Sequence, residues 1–186
     1  MNVYDFDNTI FQPDSSFCFF CYCLRHRTLA VSKSLPAAAL QFLLYIFRGR
    51  KDAQKLKEAL FSFLNRIDNV EFLVQSFWEK YADHISAWYL KQKRPDDLII
   101  SASPEFLLLP ITEQLGVGLI ATPMNPYTGR IKGKNCHDQE KVRRFRELFP
   151  EAEVAKFYSD SLSDEPMAKL AKNAYLVNGN RIAAWP

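Results

Sequence analysis

Asp5 and Asp7 stand one residue apart in "MNVYDFDNTIF", where Val3, Phe6, Ile10 and Phe11 otherwise have the character of a buried strand. Two like charges in such a place are costly unless a cation or a chemical task offsets them. Three later stretches carry groups that could share that task. "DLIISAS" brings Ser101 to the end of an apolar run, "QEKVRRF" contains Lys141, and "YSDSLSDEP" holds Asp160 and Asp164 four residues apart. Lys132 and Lys134 compete with Lys141 as the cation, but only Lys141 opens a helix leading into the strand that ends at Asp160.

The elements that must position these groups follow from hydrophobic periodicity. Val3 to Phe6 reads as a first strand. From Ser15 to about Gln92 the pattern is helical, with Leu56, Leu60, Phe63, Leu64 and Ile67 at spacings of three and four. "DLIISAS" and "GLIAT" are strands separated by a helix led by Pro104, and "MNPYTGRIKG" has hairpin-turn residues at Thr128 and Gly129. Asp138 to Phe149 is a basic amphipathic helix, "EVAKFYSD" a strand, Glu165 to Ala171 a helix and "NAYLVN" the last strand. Strands alternating with helices predict a parallel sheet, whose ligand site lies beyond the carboxyl ends of the strands. Asp5, Asp7, Ser101 and Asp160 would converge there. The expected organisation is a core of residues 1–11 and 93–186, with residues 12–92 inserted as a helical cap.

Composition narrows the class. The 186 residues are 48% hydrophobic, enough for a globular core. The net charge is +3, yet residues 11–95 hold 13 Lys and Arg against 7 Asp and Glu, so the middle is basic. Basic residues without a groove-reading or stacking motif argue against nucleic acid as a partner. Cys18, Cys21, Cys23 and His26 have zinc-like spacing, but the aromatic residues among them favour core packing. With no signal peptide before Val3 and no disulfide pattern, the expected location is cytoplasmic. The longest apolar run, Leu35 to Phe47, is shorter than the ~20 residues a spanning helix needs. It is flanked by Arg25, Arg27, Lys33, Arg48, Arg50, Lys51, Lys55 and Lys57, with Asp52 the lone acid, so it could instead lie on an anionic membrane surface.

Together the four stretches resemble the four motifs of the haloacid dehalogenase (HAD) superfamily, in order and over the whole chain. The resemblance implies an α/β fold: a Rossmann-like parallel sheet with an inserted all-helical cap. It implies a Mg²⁺-dependent phosphatase with Asp5 as nucleophile and metal ligand, passing through an aspartyl-phosphate. Asp7 would lend its backbone carbonyl to the metal and its side chain to proton transfer. Asp160 and Asp164 would complete the metal site, while Ser101 and Lys141 would hold the phosphoryl group. Thr9, Asp14, Ala102 and Ser163 would join Ser101 around the substrate. This chemistry is physically coherent, because hard oxygen ligands suit Mg²⁺ and a phosphate dianion admits an anionic nucleophile only when its charge is neutralised.

The insertion after the first motif is similar to the cap of the phosphoserine phosphatase branch, in which Asp14 falls where a substrate-binding Glu stands. "SASPE" and "YSDSLSDEPM" are closer in wording to phosphatidylglycerophosphatase C-like lipid phosphatases. The expected substrate is therefore a small or lipid phosphate monoester. A membrane-surface binding protein with little turnover is the alternative from another class. Haloacid dehalogenation is a weaker third, since Asp7 supplies a proton-transfer group that reaction does not need.

Overall fold

In the computed structural model, which describes residues 1–47 and 53–186, a six-stranded sheet has the order β3-β2-β1-β4-β5-β6. The strands are β1 (Asn2–Tyr4), β2 (Leu98–Pro104), β3 (Gly118–Thr122), β4 (Val154–Ser159), β5 (Ala171–Asn178) and β6 (Arg181–Ala184). The first five pair in parallel, and β6 runs antiparallel to β5. The chain leaves β1 toward β2 and β3 on one side, then returns to its other side with β4 and β5. In sheets of this kind the place of that reversal, beyond the carboxyl ends of β2, β1 and β4, is where ligands bind.

The first strand stops at Tyr4, earlier than expected, because the chain turns on itself. The Asp5 N–H still donates to the Tyr158 carbonyl at 2.8 Å. Then the amides of Thr9, Ile10 and Phe11 all donate to the carbonyl of Phe6. Asn8, in this loop, has φ +54°, a conformation that Gly and Asn tolerate best. The turn thus fixes Asp5 and Asp7 at the strand end in place of two further rungs of the sheet.

Between β1 and β2 lie α1 (Ser15–His26), α2 (Thr28–Ser32), α3 (Leu35–Phe47), α4 (Ala53–Phe61), α5 (Val70–Tyr81) and α6 (Ala87–Gln92). Then α7 (Glu105–Leu115), α8 (Gln139–Leu148) and α9 (Glu165–Ala168) serve the remaining crossovers. Phe6 and Phe11 from the first loop share one hydrophobic cluster with Phe19 of α1, Phe61 of α4, and Phe77 and Trp78 of α5. Trp78 also donates its indole N–H to the Leu107 carbonyl of α7 at 2.6 Å. On the sheet's other face Val3, Ile100 and Phe157 pack with Phe145 of α8 and Met167 of α9.

Two further elements differ from the sequence expectation. The helix after Asp164 ends at Ala168, not Ala171, because Ala171 pairs with Val154 as the first rung of β5. Strand β6 was not expected. Its four residues are all exposed, so no alternation marks them, although Gly179 at φ +60° supplies the hairpin turn. The turn around Thr128 and Gly129 is present, closed by a Met124–Ile131 bridge and by the Gly129 N–H on the Asn125 carbonyl.

The cysteine cluster is only partly core. Cys23 is buried and Cys18 half-buried, but Cys21 is exposed, which corrects the expectation that all three pack inward. Of the basic face, Arg48, Arg50, Lys51 and Asp52 lie outside the described residues. Among the described residues α3 buries only Ala38 and exposes Leu40, Phe42, Leu43, Ile46 and Phe47. No helix among them is long and apolar enough to cross a membrane.

Candidate active site

Lys141 is the hub. It lies in the first turn of α8, which begins after Asp138 in a strained φ of +54°. Its ammonium donates to Asp5 Oδ1 at 2.6 Å and to Asp164 Oδ2 at 2.7 Å, and its side chain is 3% exposed. Burial alone would lower its pKa, but the carboxylates of Asp5 and Asp164 outweigh that and hold it protonated. A single ammonium does not neutralise two buried carboxylates. Burial accordingly pushes the Asp5 pKa up, with Lys141 opposing and Asp164 adding to the rise. Ser159, the last residue of β4, donates its hydroxyl to Asp164 at 2.8 Å. Thr9 joins the loops: its hydroxyl accepts the Asp160 N–H at 2.9 Å and lies 3.5 Å from Asp5 Oδ2.

Asp7 faces another way. Ser103 donates its hydroxyl to Oδ2 at 2.5 Å, and the Ser15 amide donates to Oδ1 at 2.6 Å. Burial, then the neighbouring charge of Asp14, raises its pKa to about 6 despite these hydrogen bonds. The two aspartates that open the chain therefore have different surroundings: Asp5 meets a cation and Asp7 meets hydroxyl and amide donors.

The remaining expected residues are distributed around this centre. Ser101 is 1% exposed, and its Oγ accepts the Ser103 N–H at 3.0 Å. The Ala102 carbonyl accepts from Lys57 and Thr122. Asp14 caps α1 by accepting the Phe17 N–H at 2.7 Å. Ser163 is exposed, and its hydroxyl meets Ser161 and His137 instead of the buried cluster. Sequence reasoning missed Ser103, Ser159 and Lys57 as parts of the centre. Ser103 stood in the quoted "SAS" motif, but nothing in the chain order reveals that Lys57 turns inward.

The metal expectation meets a mixed result. Asp5, Asp160 and Asp164 bring hard oxygen donors to neighbouring strand ends, and burial raises the pKa of Asp160 as it does that of Asp5. Excess carboxylate of this kind suits a hard divalent cation. Yet among the described residues no three such side chains converge as a metal-holding group, and Lys141 bridges Asp5 to Asp164. The donor chemistry fits Mg²⁺; the side chains are arranged around the lysine.

A mostly parallel sheet whose strand order reverses at β1, with paired aspartates, a serine, a lysine and further aspartates at its strand ends, is the frame of a hydrolase with a doubly wound core. Residues 3–169 match the family model for haloacid dehalogenase-like hydrolases, and the chain belongs to that family. It is 26% identical over 187 aligned positions to Protein CicA of Caulobacter vibrioides, covering 91% of this chain and 82% of that protein. Among solved structures it resembles a protein with unknown function from Bordetella pertussis Tohama I at TM-score 0.77 and 22% identity, over 94% of this chain and 87% of that one. It also resembles a phosphoserine phosphohydrolase-like protein from Francisella tularensis at TM-score 0.53 and 17% identity, over 94% and 86%. At such identities the likeness is one of fold.

Proposed function

We propose that the chain hydrolyses phosphate monoesters with Asp5 as the nucleophile. The observation that carries this reading is Lys141 held between Asp5 and Asp164, a buried cation beside an anionic nucleophile. Asp5 attacks phosphorus and forms an aspartyl-phosphate. Lys141 and the Ser101 hydroxyl hold the phosphoryl oxygens as charge redistributes. Asp7, with a pKa raised to about 6, exchanges protons near neutrality. It gives a proton to the leaving oxygen, then takes one from the water that attacks the acyl-phosphate. Mg²⁺ held by Asp5, Asp160, Asp164 and the Asp7 carbonyl would supply charge neutralisation for the incoming dianion. Thr9 positions the Asp5 loop against Asp160.

Residues 12–92 act as the cap over a core formed by residues 1–11 and 93–186, and the substrate is a small or lipid phosphate monoester. Asp14, Ala102 and Ser163 are assigned to its surroundings. The motif wording shared with phosphatidylglycerophosphatase C-like proteins supports the lipid branch. The exposed apolar residues of α3 support peripheral seating on the cytoplasmic face of an anionic membrane. The test is phosphate release from p-nitrophenyl phosphate with Mg²⁺ or with chelator. Wild type with Mg²⁺ turns over, while chelated protein and Asp5→Asn lose at least ~100-fold; equal rates for wild type and Asp5→Asn would sink the reading.

A further inference from the structure

Lys57 belongs to α4, yet its ammonium reaches the end of β2. It donates to the Ala102 carbonyl at 2.6 Å and to Asn135 Oδ1 at 3.1 Å. Both partners are neutral, and among the described residues no carboxylate forms an ion pair with it. Burial lowers its pKa, with Asp7 and Asp14 acting against that shift. Such a cation beside a reaction centre is available to an anionic or strongly polar group of a ligand.

Next to Lys57 a cavity of about 570 Å³ opens between α1, α3 and α4. Phe17, Phe20, Leu35, Phe42, Leu56 and Leu60 form its apolar wall. Among the described residues the polar ones lining it are Asp14, Ser16 and Lys57. Two of these lead to the reaction centre. Ser16 Oγ lies 2.7 Å from Ser103 Oγ, whose hydroxyl donates to Asp7, and Lys57 holds the carbonyl of the residue after Ser101. The cavity is thus continuous in contacts with the phosphate end of the site, and among the described residues its wall is almost devoid of hydrogen-bonding groups. A small polar metabolite would leave that wall without an apolar partner.

We propose that this cavity receives an aliphatic chain of the phosphate monoester, with Lys57 and Asp14 meeting the polar link between that chain and the reacting phosphate. The assignment rests on the phosphatase reading for the phosphate end and extends it to the leaving group. The specificity-determining residues are then Leu56, Leu60 and Phe42 for the chain and Lys57 for the link.

Calorimetric titration of Asp5→Asn with ethyl, butyl, hexyl and octyl phosphate, each below its micellar concentration, tests this without turnover. Full burial of a methylene corresponds to about fourfold in affinity, from ~0.8 kcal/mol per CH₂. Octyl phosphate should therefore bind at least ~10-fold more tightly than butyl phosphate. Adding Ala39→Trp, which fills the cavity, should reduce that ratio to about twofold or less. Leu56→Asn, which adds no bulk, should do the same if the tryptophan variant does not fold. Equal affinities along the series, no binding of octyl phosphate, or an undiminished gradient in the cavity variants overturns the assignment. Turnover of p-nitrophenyl phosphate by wild type separates the two readings: turnover with a flat series removes the chain site alone, whereas a steep series without turnover removes the phosphatase reading alone.

Discussion

Among the described residues Asp7 meets no cation, only the donors Ser103 and Ser15, and its pKa is raised from 3.8 to about 6 chiefly by burial. Between those pH values the folded protein binds more protons than the unfolded chain, so stability falls as pH rises through that window. Asp7→Asn, which keeps the shape and removes the charge, should raise Tm at pH 7.5 in chelator-treated protein and have a smaller effect at pH 4. A gain of the same size at both pH values would show that the buried charge is not the cause. At this scale the candidate centre was legible where charge interrupts an apolar strand end, as at Asp5, Asp7 and Asp160, while Asp164, four residues past its strand, was placed only by the family resemblance. Asn8 had no explanation in sequence, and its φ of +54° provides one. Ser103 and Lys57 were not legible, because their importance depends on which strand end they meet after folding.

Among the elements, the turn between β3 and α8 shows how the helical segment is seated against the core. Gly129 has φ +69°, and a Cβ there would lie 2.3 Å from the carbonyl oxygen of Phe61, at the end of α4. Backbone strain and steric overlap both oppose any side chain. Gly129→Ala should cost ~2 kcal/mol or more, read as a lower Tm and denaturant midpoint; unchanged stability would mean that the turn and α4 do not hold this contact in solution. Strand and helix order was readable from short apolar runs such as "LIIS" of β2 and from the helical period of "VRRFREL" in α8. Boundaries failed where tertiary pairing decides them. Tyr4 ends β1 because three amides turn back onto Phe6, and Ala171 leaves its helix because β4 offers it a rung. The exposed β6 carries no alternation at all, only the turn that precedes it.

At the scale of the molecule, the helices of residues 12–92 and the loop after β1 share a core. Trp78 of α5 packs edge-on against Phe6 and Phe11, with ring centroids 5.9 and 5.2 Å away, and bonds to Leu107. Trp78→Ala should cost ~3–5 kcal/mol and leave unfolding a single transition. Two resolved transitions would contradict a shared core. This packing also explains why the sequence suggested an insertion but not how tightly it sits: periodicity identifies an apolar face, and only the fold identifies what covers it. The account as a whole depends on Asp5 becoming covalently phosphorylated. Acid quench of the protein during turnover of ³²P-labelled phenyl phosphate, followed by proteolysis and mass spectrometry, tests that directly. The label should appear on the peptide containing Asp5 and be absent from Asp5→Asn. Label on another residue, or undiminished turnover in Asp5→Asn, would contradict it.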